Sequence, residues 1–211
     1  LLENGFNSQD IAVGKKVLNS KRITMAGNTR KFEDAFAKKI GSKYALMVNS
    51  GSSANLLAAF AAGNLLRSKR YKMGDEVLIP VLCWSTSVWP FVQFGLKPVF
   101  VDIDLDTLNI SIKDLKKKIN KNTKAIVLIN VLGNCSNLFE IKKIAKKKNI
   151  IIIEDNCESL GSKLKGKHLG TFGDFSTFSF YYSHQITSGE GGMITCNNDE
   201  DYEILFSLRS H

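Results

Sequence analysis

Short apolar runs recur along the chain with helical patterns between them: "YALMVNS", "EVLIPV", "PVFVDID", "AIVLINVLG", "NIIIIED" and "FSTFSF". Each is nearly continuous in apolar, often β-branched residues rather than alternating, as strands are when both their faces are covered. Helix patterns fill the gaps at 52–69, 85–94, 112–120 and 137–148, and two more, in "SQDIAVGKKVLNS" and "RKFEDAFAKKIG", precede the first strand. This alternation predicts an α/β fold with a mostly parallel central sheet clad by helices on both sides. With three prolines, no low-complexity linker and no internal repeat, residues 1–211 read as one domain. The chain opens on Leu1 without an initiator Met and stops at "SLRSH" inside a helical pattern, so it reads as a fragment.

Composition narrows the function classes. Hydrophobic residues make up 44% and charged residues 23%, which supports a buried core and excludes a disordered chain. The net charge of +9 is concentrated in "DLKKKINKNTK" and "EIKKIAKKKN", where Lys alternates with Ile and Leu at helical spacing. These are solvated helix faces, and no aromatics interleave with them, so a nucleic-acid partner is not expected. The longest apolar stretches, such as "ANLLAAFAAGNLL", are too short or too interrupted to span a bilayer. Cys83, Cys135, Cys157 and Cys196 form no C-x-x-C pair and follow no apolar leader, which fits a reducing, cytoplasmic setting.

Open α/β sheets bind ligands beyond the carboxyl ends of their strands, and there the chain carries its polar residues. In "NSGSSANLL", Gly51, Ser52 and Ser53 open an apolar helix whose first-turn amides and hydroxyls suit a phosphate, or simply cap the helix. In "IIIIEDNCES" an apolar run delivers Glu154 and Asp155 to a strand end, as a capped surface loop, a metal-ligand pair or a catalytic site. In "FSFYYSHQITSGEGG" an aromatic strand leads through Ser179 and Tyr181 to His184 and a Gly-rich turn; an imidazole there serves structure or proton transfer. Trp84 in "PVLCWSTSVWP" is a core aromatic or a stacking surface for a planar ligand.

Taken in order, "KFEDAFAKKIGSKYALMVNSGSSANLL", "GDEVLIPVLCWSTSVWP", "KPVFVDIDLDTLNI", "IIIIEDNCESLGS" and "GTFGDFSTFSFYYSHQITSGEGG" resemble the sugar aminotransferase family named for DegT, DnrJ, EryC1 and StrS, fold type I pyridoxal-phosphate enzymes. The resemblance implies a three-layer, aspartate-aminotransferase-like large domain, with a small C-terminal domain missing from this fragment and the fragment alone inactive. It also implies a homodimer with active sites at the interface. On it, Gly51 and Ser52 with Ser179 would hold the cofactor phosphate, and Trp84 would stack on the ring. Asp155 would pair with the pyridinium nitrogen, and Glu158 falls where relatives commonly place a Gln near the ring hydroxyl.

One position departs from that pattern. Aminotransferases of the family place the lysine that holds the cofactor covalently before the Gly-rich turn, as in "FSFHPVKNITTGEGG"; here that position is His184. Without the amine the covalent anchor is lost. A His there resembles a smaller branch, the 3-dehydratases of nucleotide-linked 4-keto-6-deoxy sugars, and "CWSTSVWP", "EDNCES", "YYSHQI" and "LRSH" point to its GDP-4-keto-6-deoxymannose type. The resemblance then implies pyridoxal 5'-phosphate converted to pyridoxamine 5'-phosphate by glutamate, with His184 as base and then acid. A second branch with His at this place works on CDP-4-keto-6-deoxyglucose with an iron–sulfur cluster and a reductase, its first cluster cysteine aligning with Cys157 and the others falling beyond His211. A fold that has kept binding and lost catalysis is the remaining alternative.

Overall fold

The computed structural model describes residues 5–24 and 26–210, so His211 of "LRSH" lies outside the described residues. A seven-stranded sheet forms the centre. Its strands in chain order are β1 (Tyr44–Val48), β2 (Glu76–Pro80), β3 (Lys97–Val101), β4 (Thr123–Ile129), β5 (Ile151–Asp155), β6 (Phe175–Ser179) and β7 (Gly192–Cys196). They lie side by side as β1-β7-β6-β5-β4-β2-β3. The pairings β6–β5, β5–β4, β4–β2 and β2–β3 are parallel, whereas β7 runs antiparallel to both β1 and β6.

The expected α/β sheet is therefore present, with one strand that the sequence reading missed. β7 carries "GMITC", a short run with a glycine and a threonine and no β-branched block, and it follows a Gly-rich turn that reads as loop. It is nonetheless wholly buried, because it joins the edge strand β1 to the parallel body of the sheet.

Alternation along the strands sorts the core into two faces. Val77, Ile79, Val127, Ile151 and Ile153 pack under α3 (Gly51–Ala62), with Phe91 of α4 (Trp89–Phe94) and Leu205 of α7 (Asp199–Ser210). Leu78, Ile126, Leu128 and Ile152 pack the other way, against Leu115 of α5 (Ile112–Lys118) and Ile141 of α6 (Leu138–Lys148). α2 (Gly27–Ile40) lays Phe36 and Ile40 on Ala45, Phe178 and Met193, and α1 (Ser8–Asn19) precedes it with no buried residue. Burying each such Leu, Ile or Phe contributes about 1.5–3 kcal/mol, so two faces filled by apolar side chains hold the layers together.

Two helix predictions change in detail. The 52–69 pattern ends at Ala62, where Gly63 caps the helix and Leu65 and Leu66 turn out to solvent. The 85–94 pattern splits into a tight 3-10 turn, Ser85–Ser87, and α4, because Pro90 fits only a helix's first turn.

Candidate active site

The carboxyl ends of β2, β4, β5 and β6 and the N-terminus of α3 surround a cavity of about 760 Å³. Gly51, Ser52, Trp84, Asp155, Cys157, Glu158, Ser179 and His184 all line it. Residues up to 133 positions apart in the chain, Gly51 to His184, thus meet in one place.

One wall is the start of α3. Ser50 caps the helix, its Oγ accepting from the Ser53 amide at 3.1 Å, and the amides of the first turn have no helical partner. This end approaches β6 so closely that a Cβ on Gly51 would sit 2.7 Å from Ser179 Cβ and 2.8 Å from Cys157 Sγ. Gly192 meets the same restriction, since a Cβ there would lie 2.2 Å from the Ser50 carbonyl oxygen. The absence of side chains at 51 and 192 lets the helix end, its amides and the Ser179 hydroxyl converge.

The floor is Asp155, 6% exposed. Its Oδ2 accepts from Asn55 Nδ2 at 2.8 Å and Ser87 Oγ at 2.7 Å, and its Oδ1 accepts from the Cys157 amide at 3.1 Å. Glu154, one residue earlier, points to the opposite face because side chains alternate along a strand. There it is fully buried and accepts from the amides of Gly170, Phe172 and Gly173. Burial raises its pKa, with those amides pulling the other way. Facing opposite sides of the sheet, the two carboxylates do not meet at one point, so they form no common ligand pair.

The sides are built from loops and exposed aromatics. Trp84 is 75% exposed and stands at the cavity just before the Ser85–Ser87 turn. Glu158 Oε2 accepts from the Leu132 amide at 3.1 Å, and its backbone carbonyl accepts from Gln185 Nε2 at 2.7 Å, tying the β4 end to the His184 loop. His184 is half-buried, with its ring edge-on to Tyr181 at 6.2 Å between centroids. Burial first, then the Asp155 charge, pushes the Cys157 thiol well above its ordinary range.

Sequence reasoning missed Asn55 and Ser87, the side chains that hold Asp155. Asn55 had a signal: it is a polar residue between Ala54 and Ala58 on the buried stripe of an Ala-rich helix, where an amide needs a partner. Ser87 had none, since a serine in "WSTSV" reads as an ordinary turn residue.

A mostly parallel sheet sandwiched by helices, with an acidic floor and a helix N-terminus at its strand ends, forms a site suited to a small anionic ligand such as a phosphate. The family model described as the DegT/DnrJ/EryC1/StrS aminotransferase family matches residues 6–211, and the chain belongs to that family. Among curated relatives, the GDP-4-keto-6-deoxy-D-mannose 3-dehydratase of Escherichia coli O55:H7 is 48% identical over 93% of this chain and 50% of its own length. That of Yersinia pseudotuberculosis is 42% identical over 100% of this chain and 53% of its own length. The chain spans about half the length of the curated relatives it matches. The solved structure of the E. coli GDP-4-keto-6-deoxy-D-mannose-3-dehydratase with bound hydrated PLP superposes with a TM-score of 0.95, at 45% identity, over 100% of this chain and 54% of that one. The fold is thus the aminotransferase-like one, with its mostly parallel sheet.

Proposed function

We propose that the protein is a pyridoxal/pyridoxamine 5'-phosphate-dependent 3-dehydratase acting on a nucleotide-linked 4-keto-6-deoxy sugar of the GDP-4-keto-6-deoxymannose type, with glutamate as amino donor, in deoxysugar biosynthesis. The observation that carries this reading is His184 in a cavity that no lysine lines among the described residues.

The residues present fit the cofactor. The space kept open by Gly51, the first-turn amides, Ser52 and Ser179 suit its phosphate, and Asp155 offers a carboxylate for a cationic ring nitrogen. Trp84 would supply a flat face for its ring, and Glu158 would offer a carboxylate from the cavity wall. When bound, the cofactor supplies an amine for the sugar ketone and an electron sink. His184, which lines the cavity, would be the base that takes up a proton and the acid that returns one to the departing C3 hydroxyl. The C3 hydroxyl leaves as water, and the products are a 3-deoxy-4-keto sugar, ammonia and the 2-oxo acid of glutamate, whose oxidation supplies the two electrons that reduce C3. A homodimer with its sites at the interface is part of the proposal, supported by the broad exposure of Trp84 at the cavity and of Trp89 five residues on. So is a cytoplasmic location, consistent with the absence of a helix long and apolar enough to cross a membrane among the described residues.

The test uses the full-length protein with pyridoxal phosphate, glutamate and GDP-4-keto-6-deoxymannose, without a reductase. Ammonia and the 3-deoxy-4-keto sugar should form in equal amounts. His184→Asn should lower the rate by about 10²–10⁴-fold while cofactor binding persists. A requirement for a reductase would transfer the protein to the cluster-bearing branch.

A further inference from the structure

We propose that Thr177 and Asn55 are positioning residues that set the orientation of the Asp155 carboxylate from behind the cavity; the role rests on the functional reading above. Neither residue lines the cavity, and both are buried, so neither reaches a ligand there directly. They act through Asp155. The Thr177 hydroxyl donates to Asn55 Oδ1 at 2.6 Å, and Asn55 Nδ2 donates to Asp155 Oδ2 at 2.8 Å and to the Thr86 carbonyl at 3.3 Å.

The chain of bonds has a direction. The Asn55 amino group lies between two acceptors, so turning the amide over would set its carbonyl oxygen against the Asp155 carboxylate. In the observed sense that carbonyl needs a donor, and in a buried site an acceptor without one is costly. Thr177 supplies it. Asn55 thereby links α3, β5, β6 and the turn after β2, four of the elements around the cavity. With Ser87 and Asn55 both on Oδ2, the carboxylate is held against rotation, and Oδ1, which takes only the Cys157 amide, keeps acceptor capacity for a ligand.

The isosteric Thr177→Val removes the donor and keeps the shape, whereas Thr177→Ser keeps the donor and loses a methyl group. Pyridoxal phosphate bound to each full-length variant is titrated by absorbance against pH, a readout independent of turnover. T177V should shift that titration and lower kcat by about tenfold, with KM for glutamate within about twofold, the effect of one mis-set hydrogen bond. T177S should restore both. Should T177V not fold, Asn55→Ala, which removes the amide together with its need for a donor, should shift the titration in the same sense. An unshifted titration in T177V or in N55A overturns the proposal, and so does a T177S as impaired as T177V, which would mark a packing role. A wild-type protein that binds no pyridoxal phosphate overturns both this inference and the functional reading; a wild type that binds it normally beside an unaltered T177V overturns this inference alone.

Discussion

Glu154 and Asp155 are neighbours at one strand end, yet the two faces of the sheet treat them differently. Glu154 is closed off: the Gly170, Phe172 and Gly173 amides bond its oxygens, and nothing but protein surrounds it. Asp155 is held by side chains from distant elements and opens on a cavity. A carboxylate satisfied by local backbone organises a loop, whereas one oriented by side chains with an accessible edge is prepared to meet a ligand. The two faces therefore separate stability from function in adjacent residues.

Substitutions should break the pair apart. Glu154→Ala strands two buried amides and the half-buried Gly173 amide and should cost about 3–5 kcal/mol of folding free energy, seen as a lower denaturant midpoint. Asp155→Ala should lower turnover by about 10²–10³-fold with a much smaller change in that midpoint. Equal losses of stability in the two would erase the distinction.

The pH dependence sharpens it further. Burial raises the Glu154 pKa in the folded state, so the folded protein binds more protons here than the unfolded chain does. Its contribution to stability is then present below the ordinary value of 4.5 and is lost as pH rises through the raised folded pKa. The stability of wild type relative to Glu154→Gln, from denaturant melts at several pH values, should decline as pH rises above about 4.5, with a slope below about 1.4 kcal/mol per pH unit. A difference that grows with pH would show that the three amides outweigh burial. The smallest effect concerns Cys157 on the cavity side. Its raised pKa should make alkylation by iodoacetamide at pH 8 at least about tenfold slower than that of free cysteine, followed by mass spectrometry.

Much of the frame was legible in the chain. The apolar runs ending in "VNSGS", "IIIIED" and "FSTFS" became β1, β5 and β6, because a strand buried on both faces needs continuous apolar residues. Of the residues singled out beside them, Gly51, Ser52, Trp84, Asp155, Glu158, Ser179 and His184 reached the cavity, whereas Ser53 does not line it and Glu154 is sealed on the other face. β7 escaped notice because "GMITC" is buried by its place between two partners rather than by its own composition. Asn55, Ser87 and Thr177 escaped because nothing near them in the chain shows what they bond.

By itself, then, the sequence determined the layered α/β architecture, the carboxylate pair at a strand end and the imidazole in place of an amine. The first two follow from periodicity and residue chemistry, which are local; the third follows from the resemblance to the aminotransferase family. Only the tertiary structure decided which carboxylate faces the cavity and which is sealed. That choice depends on α3 packing over the Ile151 and Ile153 face, bringing Asn55 to Asp155 across 100 residues and Thr177 to Asn55 across 122. Hydrogen bonds over such separations are set by how the chain closes on itself, and no local pattern encodes them.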